Sequence, residues 1–371
     1  MNINDKLEEL DKKFDKLPKM STWKIVVLTF VGVCLAVVLA LYGFFLSKYS
    51  QVYDDGSASN LNDGLTYEDI INPSEEYMAA MTEAVKNLQQ TEAVEATSEV
   101  AKNSEVYNVL LIGTDERTSG EYSTDARGDS CILLSLNTSG EVPVVSLVSL
   151  ERGIGVPILR GQYAGQWDWL THTFRYGGAD LLMTEIRECF KIDVHHYVRV
   201  NFNAFEKGIN AIGGVDVYFD EAERDYFLTY SEVPAIVGMN HLNGSEALRY
   251  ARLRSIDNDW GRTARQREIV ISALNKCRSL SLTQINNLID VLLPMVKTNV
   301  PQTKIAQMLL LVPELRNMEI QQTIVPQEGT YGGMTGMGGR SLFAVDFEAN
   351  SQYLKEFLYN QKQEVSEDTS E

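Results

Sequence analysis

The chain has 371 residues, with 51 acidic and 33 basic side chains and a formal net charge of −18 at pH 7. This acidic balance argues against a protein that binds nucleic acid through bulk charge. The hydrophobic share of 44% is ordinary for a protein with a buried core. The four cysteines lack the spacing of a zinc site; buried free thiols are expected, with one disulfide as the alternative.

The first apolar segment, residues 25–46, contains 22 residues without a charge. A helix of this length crosses a bilayer core of about 30 Å at about 1.5 Å per residue. The segment is long for a cleaved signal peptide, and no small-residue cleavage site follows it. Lysines precede it and aspartates follow it, which predicts a cytoplasmic tail at residues 1–24 and an extracytoplasmic location for everything after residue 47. Residues 47–105 are predicted to be a stalk or linker with one helical piece, flexible at both ends.

Strand and helix patterns alternate through residues 106–360, and an acidic tail follows at 361–371. This continuous alternation predicts a single three-layer α/β/α domain with a central mixed sheet. Ser245 is expected to cap a short helix, and Gly213 and Gly214 are expected to end another. Strands are predicted at 106–113, 130–136, 143–150, 197–202, 215–219 and 320–325, and longer helices at 179–190, 203–212, 262–277, 283–293, 303–311 and 346–359.

Residues 250–267 contain a cluster of arginines in a chain that is otherwise rich in acids. A guanidinium group is a planar fork that binds phosphate oxygens in pairs and keeps its charge. Several forks on one short stretch repel each other unless an anion joins them, which favours a pyrophosphate ligand. The alternative is a solvated loop and helix start whose arginines pair with nearby carboxylates, and this stretch alone leaves both open. The arginines are Arg252, Arg254, Arg262, Arg265 and Arg267.

Charged side chains also flank the first three strands. Asp115 follows the first strand and Asp129 precedes the second, with Arg127 two residues before it. If the two strands are neighbours, the two carboxylates lie close together, and with phosphate oxygens they suit Mg²⁺, which prefers hard oxygen ligands. The alternative is that these acids only satisfy turns and caps. Arg152 follows the third strand and is expected at the same edge of the sheet.

An ordered series of longer motifs runs through the chain. It contains NVLLIGTDER at 108–117, LTHTFRYGGADLL at 170–182 and HYVRVNFNAFEKGINAIGGVDVYF at 196–219. It ends with LNGSEALRYARLRSIDNDWGRTARQREIVISAL at 242–274. With Arg127-Gly128-Asp129 and Arg152, this series resembles the LytR-CpsA-Psr family of bacterial cell-envelope proteins over about residues 106–278.

The resemblance implies a phosphotransferase held in the bacterial cell membrane by a single span. Members of the family move a glycopolymer, such as a teichoic acid or a capsular polysaccharide, from a polyprenyl-pyrophosphate carrier to peptidoglycan. Carried over by position, Asp115 and Asp129 would hold Mg²⁺, and Asp115 is the candidate base for the acceptor hydroxyl. The resemblance implies catalytic roles for Asp115, Arg127, Asp129 and Arg152, and pyrophosphate binding by Arg127, Arg152, Arg252, Arg254, Arg262, Arg265 and Gln266.

The chain departs from the family pattern at two places. Gly153 follows Arg152 where members of the family carry an aspartate. Trp169-Leu170-Thr171 replaces the usual Lys-Ile-Asn before the Tyr-Gly-Gly. The missing acid weakens any mechanism that gives it a role, but the arginines are present, so binding and activity are expected to survive.

Two functional hypotheses follow. One is the membrane-anchored transferase, and the other is a non-catalytic envelope protein that binds polyprenyl-phosphate lipids or partner proteins. Only the enzyme needs the carboxylate pair for a metal ion. A transcription regulator fits neither the extracytoplasmic topology nor the acidic charge. Apolar helix faces that could form a lipid groove, or plain core, lie at 179–190, 203–212, 262–277 and 283–293.

Overall fold

The computed structural model describes residues 53–54, 100–116, 126, 128–140, 142–231, 234–301, 303–305, 307 and 317–359. All of them belong to the compact unit Gln51–Glu371. The predicted tails, the predicted span at 25–46 and Arg127 lie outside the described residues. Among the helices that the structure does describe, none has both the length and the apolar character needed to cross a membrane.

Twelve strands are described. In chain order they are β1 (Val106–Thr114), β2 (Gly128–Asn137), β3 (Val144–Leu150), β4 (Gly155–Pro157), β5 (Trp167–Trp169), β6 (His196–Asn201), β7 (Val215–Phe219), β8 (Gly238–Leu242), β9 (Val296–Thr298), β10 (Glu319–Val325), β11 (Tyr331–Thr335) and β12 (Ser341–Val345). Six of them form the central sheet in the order β10-β3-β2-β1-β6-β9, and the others form three two-stranded sheets.

The central sheet is mixed. Strand β2 is antiparallel to both β1 and β3, whereas β1 is parallel to β6 and β3 is parallel to β10. Strands β1, β3, β6 and β10 therefore run in one direction, and their carboxyl ends share one edge of the sheet. This is the edge at which open α/β sheets bind their ligands.

Helices cover both faces of the sheet. They are α1 (Leu170–Phe190), α2 (Phe202–Ala211), α3 (Glu221–Tyr230), α4 (Gly244–Ala251), α5 (Asp259–Arg278), α6 (Leu282–Leu292) and α7 (Phe347–Tyr359). Alternate residues of β2 point to opposite faces. Leu133 packs with α1 and α7 in the main core, while Leu134 packs with Leu274 of α5 on the other side. The predicted α/β domain with a central mixed sheet is thus confirmed.

Local signals explain most helix ends, with two corrections. Helix α4 is capped by Asn243, not by Ser245: the Asn243 side chain accepts from the backbone N–H of Glu246, whose carboxylate accepts from Asn243 N. Helix α1 has two parts, because Gly177 and Gly178 have non-helical backbone angles and Gly178 has a φ of 68°. The part after them is the predicted helix at 179–190, and the part from Leu170 was not predicted. The predicted end of α2 at Gly213 and Gly214 is confirmed, since both have left-handed φ angles.

Two parts of the predicted stalk contact the domain. Asp54 N donates to Thr298 O of β9 over 2.9 Å, and Ala101 N donates to Lys191 O over 2.9 Å. The stalk is therefore attached to the domain at these two places. The expectation of free thiols is confirmed for Cys131, Cys189 and Cys277.

Candidate active site

A cavity of about 570 Å³ opens where β1 and β6 end. Its polar part lies at the sheet edge, and its apolar part runs back along the strands beneath α2, α4 and α5. The polar lining contains Thr114, Asp115, Asp129, Ser130, Asn201, Arg252, Arg254, Arg262 and Gln266. The apolar lining includes Leu111, Ile132, Val200, Phe202, Phe205, Leu248, Ile269 and Val270.

A β-bulge brings the two predicted carboxylates together. Gly113 pairs with Ser130 and Thr114 pairs with Gly128, so Asp129 is the extra residue of β2 with no partner opposite it. Bulges of this kind often re-aim a side chain beside an active site. Asp115 follows the last residue of β1, and both aspartates line the cavity. The predicted neighbourhood of the two carboxylates is therefore present in the fold.

Three of the predicted arginines enter the cavity from the end of α4, the following turn and the first turn of α5. Arg252 ends α4, and its guanidinium lies 4.7 Å from the ring centre of Phe202. Arg254 follows in the turn, with its Nε 3.3 Å from Asp259 Oδ1. Arg262 lies in the first turn of α5, whose start is fixed by Asn258 accepting from two backbone N–H groups.

Arg262 is the most deeply buried of these three cations. It is only 3% exposed, and its Nε has no hydrogen-bond partner among the described residues. Its ion pair to Asp259 is long, with 3.5 Å between Nε and Oδ1. A buried guanidinium is costly unless hydrogen bonds and an opposite charge compensate it. The position therefore suits an anion in the cavity.

Gln266 links the strand that carries Asp129 to the end of α4 that carries Arg252. Its Oε1 accepts from Ser130 Oγ over 2.8 Å, and its Nε2 donates to Ala251 O over 3.2 Å. Ser130 follows Asp129, and Ala251 precedes Arg252. The structure thus gives Gln266 a positioning role, and its direct contact with a pyrophosphate stays a prediction.

Arg265 and Arg267 belong to the same arginine cluster, but the structure does not bring them to this cavity. Both ends of the Arg265 fork donate to Asp257, over 2.9 and 2.6 Å. Arg267 donates to Gln322 and Ser149 and so joins α5 to the sheet. Arg265 is therefore paired with a nearby carboxylate, as the alternative interpretation predicted, because Asp257 already accepts from both of its terminal nitrogens.

Arg152 lies at the predicted edge but lines a second pocket, of about 310 Å³, together with Glu151, Trp169 and Asp259. Its guanidinium carbon lies 4.6 Å from the Trp169 ring centre, and its Nε is buried without a hydrogen-bond partner among the described residues. Since Asp259 also contacts Arg254 and Arg262, the two pockets are neighbours.

Two functional candidates were not foreseen in the sequence. Asp259 pairs with two cavity arginines, and its position in a helix first turn was the available signal. Glu151 is 2% exposed, and burial raises its pKa to about 7, with Asp259 adding to the rise, although the Gly153 N–H and two arginines lower it. An acid preceding Arg152 carried no signal of burial, because strand β3 was predicted to end before it.

The apolar lining decides between the two alternatives, lipid groove and plain core, that the sequence left open for the apolar helix faces. Helices α2 and α5 contribute to it through Phe205, Ile269 and Val270, as predicted for 203–212 and 262–277. The stretch 179–190 instead packs in the core on the opposite face of the sheet. Leu292 of α6 packs against Gly208 of α2. None of the described α6 side chains lines the cavity.

Comparison with known proteins identifies the family of the chain. A family model described as the LytR_cpsA_psr family matches residues 73–359. A polyisoprenyl-teichoic acid–peptidoglycan teichoic acid transferase, TagU of Oceanobacillus iheyensis, is 30% identical over 237 residues, which cover 60% of this chain and 69% of the relative.

Two solved structures from B. subtilis are also similar. TagT aligns with a TM-score of 0.54 and 24% identity over 71% of this chain and 96% of its own. TagV aligns with a TM-score of 0.54 and 25% identity over 70% of this chain and 100% of its own. The fold agreement and the extent of the family match lead to one conclusion: the chain belongs to the LytR-CpsA-Psr family.

Proposed function

We propose that this chain is a membrane-anchored phosphotransferase that moves a glycopolymer of the teichoic acid or capsular polysaccharide type from a polyprenyl-pyrophosphate carrier to peptidoglycan. Family membership and the transferase name of its relative support the reaction. The anchor and the location of the domain outside the cytoplasmic membrane rest on the apolar segment at 25–46 and its flanking charges.

The observation that carries the proposal is the buried, incompletely paired Arg262 at the polar end of an otherwise apolar cavity. Arg252 and Arg254 line the same cavity. Asp115, Asp129 and Asp259 balance these three guanidinium groups in formal charge, so a cation at the two cavity aspartates would leave an excess positive charge for a phosphate. Paired N–H donors of this kind match phosphate oxygens in geometry and charge.

The apolar part of the cavity supports a lipid carrier. Leu111 and Ile132 of the sheet face Ile269 and Val270 of α5 across it, with Phe205 beside them. Its volume of about 570 Å³ lies within the range of about 300–1,000 Å³ that is common for ligand pockets. A polyprenyl tail along the strands would place its pyrophosphate at the sheet edge.

Mg²⁺ at Asp115 and Asp129 is part of the proposal. The described residues contain no group of three or more His, Cys, Asp or Glu side chains that could hold a metal ion by themselves. The two aspartates fit a site of another kind, in which phosphate oxygens and water complete the shell, because Mg²⁺ commonly uses one or two carboxylates with substrate phosphates. When bound, the ion would neutralise charge on the phosphates beside these carboxylates.

The reaction then needs positioning and charge stabilisation more than covalent help from the protein. The acceptor hydroxyl oxygen forms a bond to the phosphorus that carries the glycopolymer, and the bond from that phosphorus to the lipid-side bridging oxygen breaks. Polyprenyl phosphate leaves, with its new charge beside Arg252, Arg254 and Arg262. Asp115 is the candidate to accept the hydroxyl proton.

The test is transfer or hydrolysis of a short-chain polyprenyl-pyrophosphate sugar by the full-length protein, with and without Mg²⁺. We expect turnover that depends on Mg²⁺ and that Asp129→Asn abolishes. Arg224→Ala, which removes an arginine that pairs with Asp225 on the surface, is the matched control and should leave turnover unchanged. Tight binding of the lipid without any turnover would favour the non-catalytic lipid-binding protein instead.

A further inference from the structure

The second pocket has aromatic walls. We call it the aromatic pocket; its volume is about 310 Å³, and its lining includes Trp169, Trp260, Phe343, Arg152, Glu151, Asn258 and Asp259. The Arg152 guanidinium covers one part of the Trp169 ring at 4.6 Å from its centre. Asp259 separates it from the arginine cavity, because this side chain pairs with Arg254 and Arg262. A group bound in the aromatic pocket would therefore lie beside a phosphate bound by those arginines.

The rings are held in fixed positions by their neighbours. Trp260 lies 5.5 Å from Tyr331 between ring centres, and Tyr331 lies 5.0 Å from Phe343 in an edge arrangement. Trp169 donates from Nε1 to Ser341 O over 2.8 Å. The pocket walls are thus supported from behind and need little rearrangement to accept a ligand.

The two departures from the family pattern both lie in this pocket. Trp169 forms one wall. At Gly153, an added Cβ would lie 2.8 Å from Phe343 Cε2, so the Phe343 ring occupies the space that any side chain at this position needs. Gly153 therefore leaves the space that the Phe343 ring takes up at this edge of the site.

We propose that the aromatic pocket binds a sugar ring. The C–H faces of a pyranose pack against aromatic faces, and its hydroxyl edge needs hydrogen-bond acceptors and donors. Glu151, Asp259 and Asn258 line the pocket and supply such groups. Three of the nine lining residues are aromatic, and pockets that combine apolar or aromatic walls with a few polar groups are typical of ligand sites.

This inference rests on the proposed function. In that reaction the sugar ring could come from either of two molecules. One is the donor sugar next to the pyrophosphate, and the other is a sugar of the acceptor glycan. The aromatic pocket lies beside the arginine cavity, with Asp259 between them. This position fits either sugar, because the phosphorus being transferred lies between the donor sugar and the acceptor hydroxyl.

Ligand-observed NMR titration of the full-length protein in detergent micelles with a soluble N-acetylglucosamine oligosaccharide tests the pocket. We expect saturable binding that Trp260→Ala and Trp169→Leu each weaken at least tenfold, and that Trp260→Phe largely restores. Trp167→Phe is the matched control, because Trp167 does not line the pocket. Absence of saturable binding to the wild type, or binding by both tryptophan variants as tight as that of the wild type, overturns the proposal.

Binding of farnesyl pyrophosphate, which carries no sugar, tests the proposed function separately from the sugar site. The tryptophan variants should bind it as the wild type does, whereas a wild type that fails to bind it contradicts the proposed function and not the sugar site. A farnesyl-pyrophosphate-linked sugar then distinguishes the sources. Displacement of the oligosaccharide assigns the pocket to the donor sugar, and simultaneous binding assigns it to the acceptor.

Discussion

Two arginines on α5 that are three residues apart have opposite roles. Arg262 is buried beside a cavity with an incomplete set of partners. Arg265 is equally buried, but Asp257 and Glu223 surround its guanidinium. The family resemblance implied that both bind pyrophosphate, and the arginine run itself left this open. A run of arginines does not show which helix face meets a cavity and which meets neighbouring carboxylates.

Substitution by alanine should separate the two roles. Arg262→Ala should weaken binding of farnesyl pyrophosphate by about 10- to 100-fold, the loss expected for hydrogen bonds to a charged group, and should change the free energy of unfolding by less than about 1 kcal/mol. Arg265→Ala should lower that free energy by about 3 kcal/mol, because it leaves a carboxylate pair without its cation. Calorimetric titration and denaturant unfolding measure both. Equal effects of the two changes on binding would contradict the assignment.

Glu151 gives the protein a titration that the sequence did not predict. Burial raises its pKa to about 7, above the value of about 4.3 for an unfolded glutamate. Between these two values the folded state binds the proton more tightly, so this group's contribution to stability falls as the pH rises and is lost above about pH 7.

Glu151→Gln removes the titrating carboxyl group, while the new amide oxygen can still accept from Gly153 N–H. The variant should match the wild type near about pH 4 and exceed its free energy of unfolding by up to about 3 kcal/mol near about pH 8. Denaturant unfolding across this range measures the difference. A difference that is constant with pH would show that the pKa of Glu151 is the same in the folded and unfolded states.

At the scale of elements, the cavity wall depends on a close contact between α2 and α4. The backbone of Gly244, at the start of α4, lies so near Glu206 of α2 that an added Cβ would overlap the Glu206 carbonyl. Gly244 N also donates to Asn210 Oδ1 over 2.8 Å. This contact positions Phe205 and Leu248, which face the cavity from the two helices.

Gly244→Ala should therefore force the two helices apart and lower the free energy of unfolding by about 1–3 kcal/mol, the usual cost of overpacking. It should also weaken binding of farnesyl pyrophosphate. The matched control is Gly333→Ala in β11, where an added Cβ meets nothing within 4 Å. Wild-type stability in the Gly244 variant would show that the helices can separate without cost.

The elements that the sequence predicted are those with long apolar patterns. Strands β1, β2 and β3 were found because each is a run of buried aliphatic residues bounded by turn residues. Strands β4 and β5 have three residues each, too few to show a period. Helix α3 was missed although Asp220 and Glu223 form a capping box, since its exposed face carries large apolar side chains such as Leu228 and Tyr230.

At the scale of the whole molecule, the site joins parts of the chain that are distant in sequence. The aspartates come from the first strand pair, and the arginines come from the connection of α4 and α5. The edge of the sheet was predictable, because carboxyl ends of parallel strands converge. The division into an arginine cavity and an aromatic pocket was not, because it depends on Asp259 and on Phe343 from a late hairpin.

The central claim is that a lipid pyrophosphate binds with its head among the arginines and its tail beneath α2, α4 and α5. A farnesyl pyrophosphate analogue with a photoreactive group at the far end of the lipid, followed by mass spectrometry of the labelled full-length protein, tests this most directly. The account predicts labelling of peptides containing Phe205, Leu248 or Ile269, and loss of labelling in Arg262→Ala. Labelling confined to the exposed apolar side chains of α3 and β8, unaffected by that substitution, would contradict it.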